Sequence, residues 1–364
     1  MLTLAIDGLA PSWLATLSPP ILFFFLGALA AAVRSNLRVP PSVTKLLSLY
    51  LLWAIGFRGG VHLLEGGLTQ QALIALGLAM GLALVVPVYS FYILRMRLDP
   101  ANAAAVCATY GSVSAVTFMT AATVLEQRQI PYGGHMVAAM ALMESPAIVI
   151  GLLLLRHAER GEARRRASAG EPGAELGAGA GEPAAGNAAG GSKAAARDPN
   201  APINWGTLFH EAFLNGPVIL LLGSLAIGLL TGDRGYQAFR PLCTDLFNGV
   251  LVFFLLDLGL VAARKLRAMK GHSAFLIAFA LISPPVNAML AIALAHLGGL
   301  SEGDAVLLAV LGSSASYIAV PAAMRLIIPQ ANPGLYIPMA LGITFPFNIS
   351  VGIPLYIWVV HAIR

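Results

Sequence analysis

Apolar residues in this chain fall in blocks of about twenty, and the polar residues collect between the blocks. Three of the runs, LLSLYLLWAIGF (46–57), ALIALGLAMGLALVVPVYSFYIL (72–94) and FLIAFALISPPVNAMLAIALAHL (275–297), contain no Asp, Glu, Lys or Arg. A helix of about 20 apolar residues spans the hydrocarbon core of a bilayer, whereas a soluble core of this size would be interrupted by charges. The pattern therefore predicts an all-α integral membrane protein.

The apolar blocks predict ten transmembrane helices, referred to below as spans one to ten. Their approximate bounds are 18–34, 41–57, 70–94, 102–127, 132–155, 207–231, 241–262, 273–298, 303–327 and 335–362. Between spans five and six, residues 157–200 consist mostly of Ala, Gly, Glu, Pro and Arg, a composition that cannot bury a core. We expect a first five-helix membrane unit (1–156), a disordered linker (157–200) and a second five-helix membrane unit (201–364).

The basic residues predict how the chain is oriented in the membrane. The 364 residues are 58% hydrophobic and 11% charged, with a formal net charge of +5. If the spans alternate, one side receives the basic linker and most of the other Arg and Lys residues, so the charge is a topology signal and not a sign of nucleic-acid binding. The positive-inside rule then places the linker in the cytoplasm and both termini outside. No basic residue precedes the first span, so we expect no cleavable signal peptide.

The two units resemble each other in sequence. PPILFFFLGALA (19–30) matches GPVILLLGSLAIG (216–228), GSVSAVTFMTAA (111–122) matches GSSASYIAVPAA (312–323), and MALMESPAIVIG (140–151) matches MALGITFPFNISVG (339–352). Because each unit has an odd number of spans, the second one starts from the opposite side of the membrane. The order of the matches predicts two inverted repeats, an architecture that many secondary transporters share.

Spans four and nine carry small polar residues at matching positions in the repeats. Glycine allows a helix to unwind, short hydroxyl side chains can cap the half-helix that follows, and its free amides and positive dipole end suit a small anion. Unwound carbonyls and hydroxyls suit a hard cation such as sodium.

The alternative interpretation is that these small residues serve only to let the helices pack closely. In the broken-helix interpretation, Pro321 adds a second disturbance to span nine. The candidate substrate-binding residues are Gly111, Ser112, Ser114 and Thr117 with Gly312, Ser313, Ser314 and Ser316.

Ionisable residues inside spans suggest functional sites because their burial in a membrane is costly. Glu144, before Ser145-Pro146 in span five, is a candidate for cation binding or proton coupling, with a simple hydrogen bond to a neighbouring helix as the alternative. Asn348 in span ten is a neutral candidate. Asp257 is expected to be a structural partner of a neighbouring Arg or of the backbone, whereas Glu126, Asp304 and Arg325 are expected at the membrane interface.

Enzymatic and metal-site signatures are absent from the sequence. It contains no Gly-x-Ser-x-Gly elbow and no His-Glu-x-x-His motif, and its seven histidines lack ligand spacing. Cys107 and Cys243 are expected to be packing residues. We therefore expect neither enzymatic activity nor a resident cofactor.

Several segments resemble the high-affinity sodium-dependent bicarbonate transporter family known from cyanobacteria and found more widely in bacteria. They are AIGFRGG (54–60), GSVSAVTFMTAATVLEQRQIPY (111–132), MALMESPA (140–147), ANPGLYI (331–337) and GIPLY (352–356). The resemblance implies a multi-pass protein of the bacterial inner membrane with ten spans in five-plus-five inverted repeats, a core domain that moves against a gate domain, and an oligomer that is often a trimer. It also implies a small soluble regulator of the PII type on the cytoplasmic side.

The resemblance further implies a site between the broken spans four and nine. Bicarbonate and sodium would lie near Ser114, Glu144 and Ser316, with sodium as the coupling ion. The chain departs from the family pattern Ser-Ser-Ser-Asp at Tyr317, which stands in place of the Asp. The phenol of a tyrosine attracts a cation less strongly than a carboxylate does. Three alternatives therefore remain: sodium-coupled bicarbonate import, sodium- or proton-coupled import of another small anion such as a monocarboxylate, and a channel. The candidates for coupling are Glu144, Tyr317 and Asn348.

Overall fold

The regular structure of the chain is helical throughout the described residues. The computed structural model describes residues 18–168, 206, 214–268 and 273–364. Its main helices are α1 (Pro19–Ala32), α2 (Pro41–Gly66), α3 (Gln70–Leu94), α4 (Pro100–Gly111), α5 (Ala115–Gln127), α6 (His135–Glu144), α7 (Pro146–Ser168), α8 (Gly216–Cys243), α9 (Asp245–Ala268), α10 (Ala274–Leu297), α11 (Glu302–Ser313), α12 (Ala319–Ile327) and α13 (Pro333–Ala362).

Eight helices among the described residues are long and apolar enough to cross a membrane, counting α4 with α5 and α6 with α7 as single spans. This finding confirms the prediction of an α-helical membrane protein. The first predicted span appears as α1, a helix of 14 residues, and the ninth appears as the two shorter helices α11 and α12. Helix α13 includes two stretches of wider, π-helical winding, Pro338–Thr344 and Asn348–Gly352.

The linker predicted at residues 157–200 differs from the structure at its beginning. Helix α7 starts at Pro146 and continues to Ser168, well past the expected end of the fifth span. Its last turns carry the sequence ERGEARRR, whose charges can stay in water while the backbone remains helical. The rest of the predicted linker lies outside the described residues.

Helix α8 differs from the prediction of a span at 207–231 followed by a loop. It begins at Gly216, and helical structure continues to Cys243 with a turn at Gly232 (φ 57°, ψ −151°). After this turn the chain runs back along α2, because Tyr236 packs near His62 whereas the later Phe239 packs near the earlier Trp53. The expected loop is therefore a second helical arm. Only glycine adopts this combination of φ and ψ without strain, and the sequence pattern did not reveal it.

Helices α1, α2, α8 and α9, called the gate bundle here, pack as two close pairs. Small residues let membrane helices approach until their backbones touch. In each pair, a glycine of either helix faces a backbone carbonyl of the other: Gly27 faces Leu256 and Gly259 faces Phe24 between α1 and α9, and Gly60 faces Leu225 and Gly228 faces Phe57 between α2 and α8. The remaining helices, α3 to α7 and α10 to α13, are called the core bundle.

A buried carboxylate ties the gate bundle together. Asp257 on α9 is 4% exposed and accepts a 2.6 Å hydrogen bond from the Thr44 hydroxyl on α2. Near the end of α9, the Arg267 guanidinium donates to the carbonyls of Ala31 and Ala32 at 2.8 Å and so caps α1. Asp257 thus has a structural partner, but this partner is a threonine hydroxyl and not the Arg or backbone group that the sequence analysis expected.

We expect Gly232→Ala to lower the apparent melting temperature of the purified protein. An L-residue at this backbone conformation costs about 1–3 kcal/mol, and an added Cβ would also lie 2.9 Å from a Leu64 methyl group. The matched control is Gly223→Ala in the first arm of α8, where an added Cβ meets no atom within 4 Å. Thermal unfolding in detergent, followed by tryptophan fluorescence, compares the two variants. Equal melting temperatures would contradict the strained turn.

Candidate functional site

The first break separates α4 from α5. Helix α4 ends at Gly111 and α5 begins at Ala115, while Ser112 and Ser114 have extended backbone conformations. The Ser114 hydroxyl accepts a 3.2 Å hydrogen bond from the Thr117 amide and caps α5. Gly111 lies against Pro87 of α3, where an added Cβ would come within 2.7 Å of the proline ring. Glycine is therefore needed here for close packing against α3.

The second break lies later in span nine than the sequence suggested. Gly312 and Ser313 complete helix α11, and the chain leaves helical geometry only at Ser314, where ψ is 164°. Helix α12 begins at Ala319, so the interruption covers residues 314–318. Pro321 falls in the first turn of α12, where a backbone N–H would have no partner within the helix. It fits the start of the half-helix and does not disturb it, contrary to the expectation.

Backbone and hydroxyl groups of the two breaks bind each other directly. The Ser114 amide donates to the Ser314 hydroxyl oxygen at 2.9 Å, and that hydroxyl donates to the Leu311 carbonyl at 2.9 Å. In return, the Ser316 amide donates to the Thr109 carbonyl at 2.9 Å. The broken spans therefore cross at this point, and each supplies partners for groups that the other leaves unpaired.

A neighbouring span supports each break from the other side. The Ser112 hydroxyl donates to the Glu144 carbonyl at 2.9 Å, at the point where α6 gives way to α7. On the second break, the Asn348 amide nitrogen donates to the Ser313 carbonyl at 2.9 Å, and its oxygen accepts a 3.0 Å hydrogen bond from Tyr356. Asn348 is 0% exposed and both ends of its amide are engaged, so it braces the break.

A small cavity of about 40 Å³ lies where the breaks meet the gate bundle. Since one water needs a void of about 10–15 Å³, the space suits a solute of about three or four non-hydrogen atoms. The core bundle contributes Val113, Ser114, Ala115, Val116, Met119, Glu144, Ser316, Tyr317, Ile318 and Ala319, and the gate bundle contributes Ser48, Leu52 and Pro217.

Two hydroxyls near the crossing are buried and lack a hydrogen bond of ordinary geometry. They are the Thr117 hydroxyl in the first turn of α5 and the Tyr317 hydroxyl, which lies beside Ser114. Buried polar groups are nearly always satisfied, so these oxygens are available to a solute or an ion. Tyr317 and the half-buried Glu144 both line the cavity, and a hydroxyl and a carboxylate are oxygen groups of the kind that hard cations prefer, whereas Thr117 is not among the lining residues.

The predicted site residues take different positions around the crossing. Ser114, Ser316, Glu144 and Tyr317 line the cavity, whereas Asn348 does not. The others shape or connect the breaks, namely Gly111, Ser112, Thr117, Gly312, Ser313 and Ser314. Their roles in binding stay predictions.

Two residues of the cavity were missed in the sequence analysis. Ser48 and Pro217 line it from the gate bundle, and a lone serine in an apolar run gives no sign of such a position. Away from the cavity, the partly exposed Glu126 forms an ion pair with Arg58. Asp304 is buried; it accepts a 2.8 Å hydrogen bond from the Gly133 amide and lies 3.4 Å from His135. Their expected position at the membrane interface stays a prediction.

A multi-pass helical protein in which two broken helices cross beside a small cavity has the architecture of a membrane transport protein. More specifically, the family model of the Na+-dependent bicarbonate transporter superfamily matches residues 19–361, and the chain belongs to that superfamily. The resemblance noted in the sequence is thereby confirmed. No curated protein matches the chain.

We expect Ser314→Ala to destabilise the protein more than Ser313→Ala. Both side chains are 1% exposed, but only the Ser314 hydroxyl bridges the two breaks, whereas Ser313 donates to Val310 within its own helix. Removing the bridge leaves the buried Ser114 amide unpaired, at a cost of about 1–3 kcal/mol. Melting temperatures in detergent test this order, and a larger loss for Ser313→Ala would refute the bridging role.

Proposed function

We propose that the protein is a secondary active transporter that imports bicarbonate together with sodium across the bacterial inner membrane. The observation that carries this proposal is the crossing of the two breaks beside a cavity with unpaired hydroxyls and a carboxylate. Membership of the superfamily supports both the substrate and the coupling ion. The size of the cavity also suits bicarbonate, which has four non-hydrogen atoms.

The proposed fold has ten spans in two inverted five-helix repeats. Such a repeat relates span one to span six and span seven to span two. The pair α1–α9 then corresponds to the pair α8–α2. The reciprocal glycine-to-carbonyl contacts in both pairs support this relation. So do the two supports of the breaks, in which span five holds the first break through Glu144 and span ten holds the second through Asn348.

The site can bind an anion and a cation together. Helices α5 and α12 both start at the breaks, so the positive ends of their dipoles and their free amides face the crossing. The hydroxyls of Thr117 and Tyr317 and the carboxylate of Glu144 provide oxygens for sodium. Binding both ions offsets their charges and lowers the cost of passing the low-dielectric middle of the membrane. The core bundle would carry them past the gate bundle.

The second candidate is a sodium- or proton-coupled transporter of another small anion, such as a monocarboxylate. Tyr317 favours it, because a phenol at this position binds a cation less strongly than a carboxylate would, while Glu144 can carry a proton. A cavity of this size suits small anions such as formate or acetate. A channel is less well supported, since its pore would need repeated polar faces or rings of charge along several helices.

Orientation and assembly complete the proposal. The distribution of basic residues supports a cytoplasmic linker and external termini. Family resemblance supports a homo-oligomer, for example a trimer, and a PII-type regulator on the cytoplasmic face.

Uptake of carbon-14 bicarbonate into proteoliposomes, at fixed pH and with or without an inward sodium gradient, tests the main proposal. We expect saturable uptake that the sodium gradient stimulates strongly. The second candidate would be favoured by uptake that is independent of sodium but driven by a proton gradient. It would also be favoured by uptake of formate or acetate in place of bicarbonate. Single-channel currents would favour a channel.

Ser114→Val and Ser316→Val are each expected to abolish this uptake while folded protein remains in the membrane. Both changes remove a hydroxyl that lines the cavity and caps a half-helix. The matched control is Thr123→Val, because the Thr123 hydroxyl is also buried without a partner but lies nine residues beyond Ser114, about 13 Å along the chain. Normal uptake by both serine variants would place the site elsewhere.

Thr117→Val and Tyr317→Phe test the cation ligands. We expect each to raise the sodium concentration for half-maximal uptake on the order of tenfold, which corresponds to about 1.4 kcal/mol. Thr120→Val is the control, since the Thr120 hydroxyl donates at 2.8 Å to the Val116 carbonyl of its own helix. If the sodium dependence of all three variants equals that of the wild type, these hydroxyls do not bind the ion.

A further inference from the structure

A polar cluster centred on a buried arginine joins the gate bundle to the core bundle away from the cavity. Arg58 on α2 is 6% exposed. Its guanidinium donates to the Glu126 carboxylate at the end of α5 and, at 3.2 Å, to the hydroxyl of Tyr132 in the following loop. Tyr132 in turn donates to the same Glu126 oxygen at 2.8 Å. The three side chains form a closed triangle with one member on the gate bundle and two on the core bundle.

The gate bundle holds the Arg58 side chain in place. The second guanidinium nitrogen donates to the Cys243 carbonyl at 3.4 Å. The guanidinium carbon also lies 5.6 Å from the centre of the Phe247 ring, a distance typical of a cation–π contact. The second arm of α8 and the start of α9 therefore hold the arginine, which reaches from there to the core bundle.

Backbone packing closes the same region. An added Cβ on Gly59 would lie 2.6 Å from Val137 of α6, and Gly134 faces the Gly59 carbonyl. Helix α2 and the start of α6 are therefore in direct contact, without space for a solute between these two helices.

The cavity lies at the other end of the same interface. Ser48 is ten residues before Arg58 on α2, which separates them by about 15 Å along the helix. Pro217 and Ile318 also line the cavity, and both lie toward the end of the interface where α2 begins. Pro217 is at the start of α8, and Ile318 is 47% exposed. The interface is thus sealed at the Arg58 end and has its cavity nearer the opposite face.

The Arg58–Glu126 pair is placed so that it can separate. Breaking a buried ion pair is costly when a charge stays buried without a partner. The Glu126 side chain, however, is 39% exposed and borders a cleft of about 430 Å³, so it reaches water as soon as the bundles move apart. By contrast, the ion pairs Arg95–Glu162 and His361–Glu302 each join two helices of the core bundle.

We propose that Arg58, Glu126 and Tyr132 form an interdomain latch that holds the transporter closed on the Arg58 face while the cavity faces the opposite side. This inference rests on the proposed movement of the core bundle past the gate bundle, and it does not depend on the identity of the transported ions. Opening the latch releases Glu126 from Arg58 and uncovers the contact between Gly59 and Val137.

The test follows the exposure of that contact with a membrane-impermeant thiol reagent. The reporter is Val137→Cys in a Cys107→Ala, Cys243→Ala background, reconstituted in liposomes, and the variant under test is Glu126→Gln. We expect Glu126→Gln to raise the rate of modification at position 137 at least fivefold. The matched control is Glu162→Gln, which removes the same charge from an ion pair inside the core bundle and should leave the rate unchanged.

A second reporter, Ser48→Cys, detects the opposite face of the interface. If the latch holds the closed state, Glu126→Gln lowers the modification rate at position 48, because molecules that open at Arg58 close around the cavity. Equal rates at position 137 for Glu126→Gln and Glu162→Gln would overturn the proposal. A rise at both reporters would also overturn it, since it would show a loosened interface instead of a shift between two states. Failure of bicarbonate uptake leaves these outcomes unaffected and counts only against the proposed substrate.

Discussion

Backbone groups in a membrane must find hydrogen-bond partners within the protein, and this requirement governs the centre of the molecule. A broken helix exposes amides and carbonyls that water would satisfy at a surface. Here the two breaks satisfy each other through the contacts Ser114–Ser314 and Ser316–Thr109. Each interruption thus depends on the other for some of its hydrogen bonds. A few buried groups, such as the Thr117 hydroxyl, remain without a protein partner.

The two bundles differ in how they are held together, and this difference suits a moving transporter. In the gate bundle, glycines bring helix backbones into contact, which gives close and rigid pairs. The core bundle is tied at its centre by the hydrogen bonds of the breaks and of Asn348. Between the bundles, the cavity and the cleft near Arg58 leave the contact less continuous. Such an interface is compatible with the proposed movement of one bundle against the other.

The sequence predicted the features that depend on local chemistry. Long apolar runs revealed the membrane helices, and glycine with serine revealed both interruptions. The second interruption came two residues later than expected, because Gly312 can complete α11 when Ser314 has the first break as its partner. Contacts between distant segments could not be predicted from one sequence. Nothing in the sequence around Ser48 indicates that it lines the cavity, and the turn at Gly232 is visible only in the backbone angles. Arg58 and Glu126 are far apart in sequence and form their ion pair only when the two bundles assemble.

The winding of α13 explains an irregularity in the internal sequence match. MALMESPAIVIG covers residues 140–151, whereas its counterpart MALGITFPFNISVG covers residues 339–352 and is two residues longer. A π-helical turn bonds residue i to i+5 and so holds about one residue more than an α-helical turn. Helix α13 has two π-helical stretches in this part of the chain, Pro338–Thr344 and Asn348–Gly352. This wider winding accommodates a segment two residues longer than its counterpart in fewer turns than an α-helix would need, while Asn348 lies behind the second break.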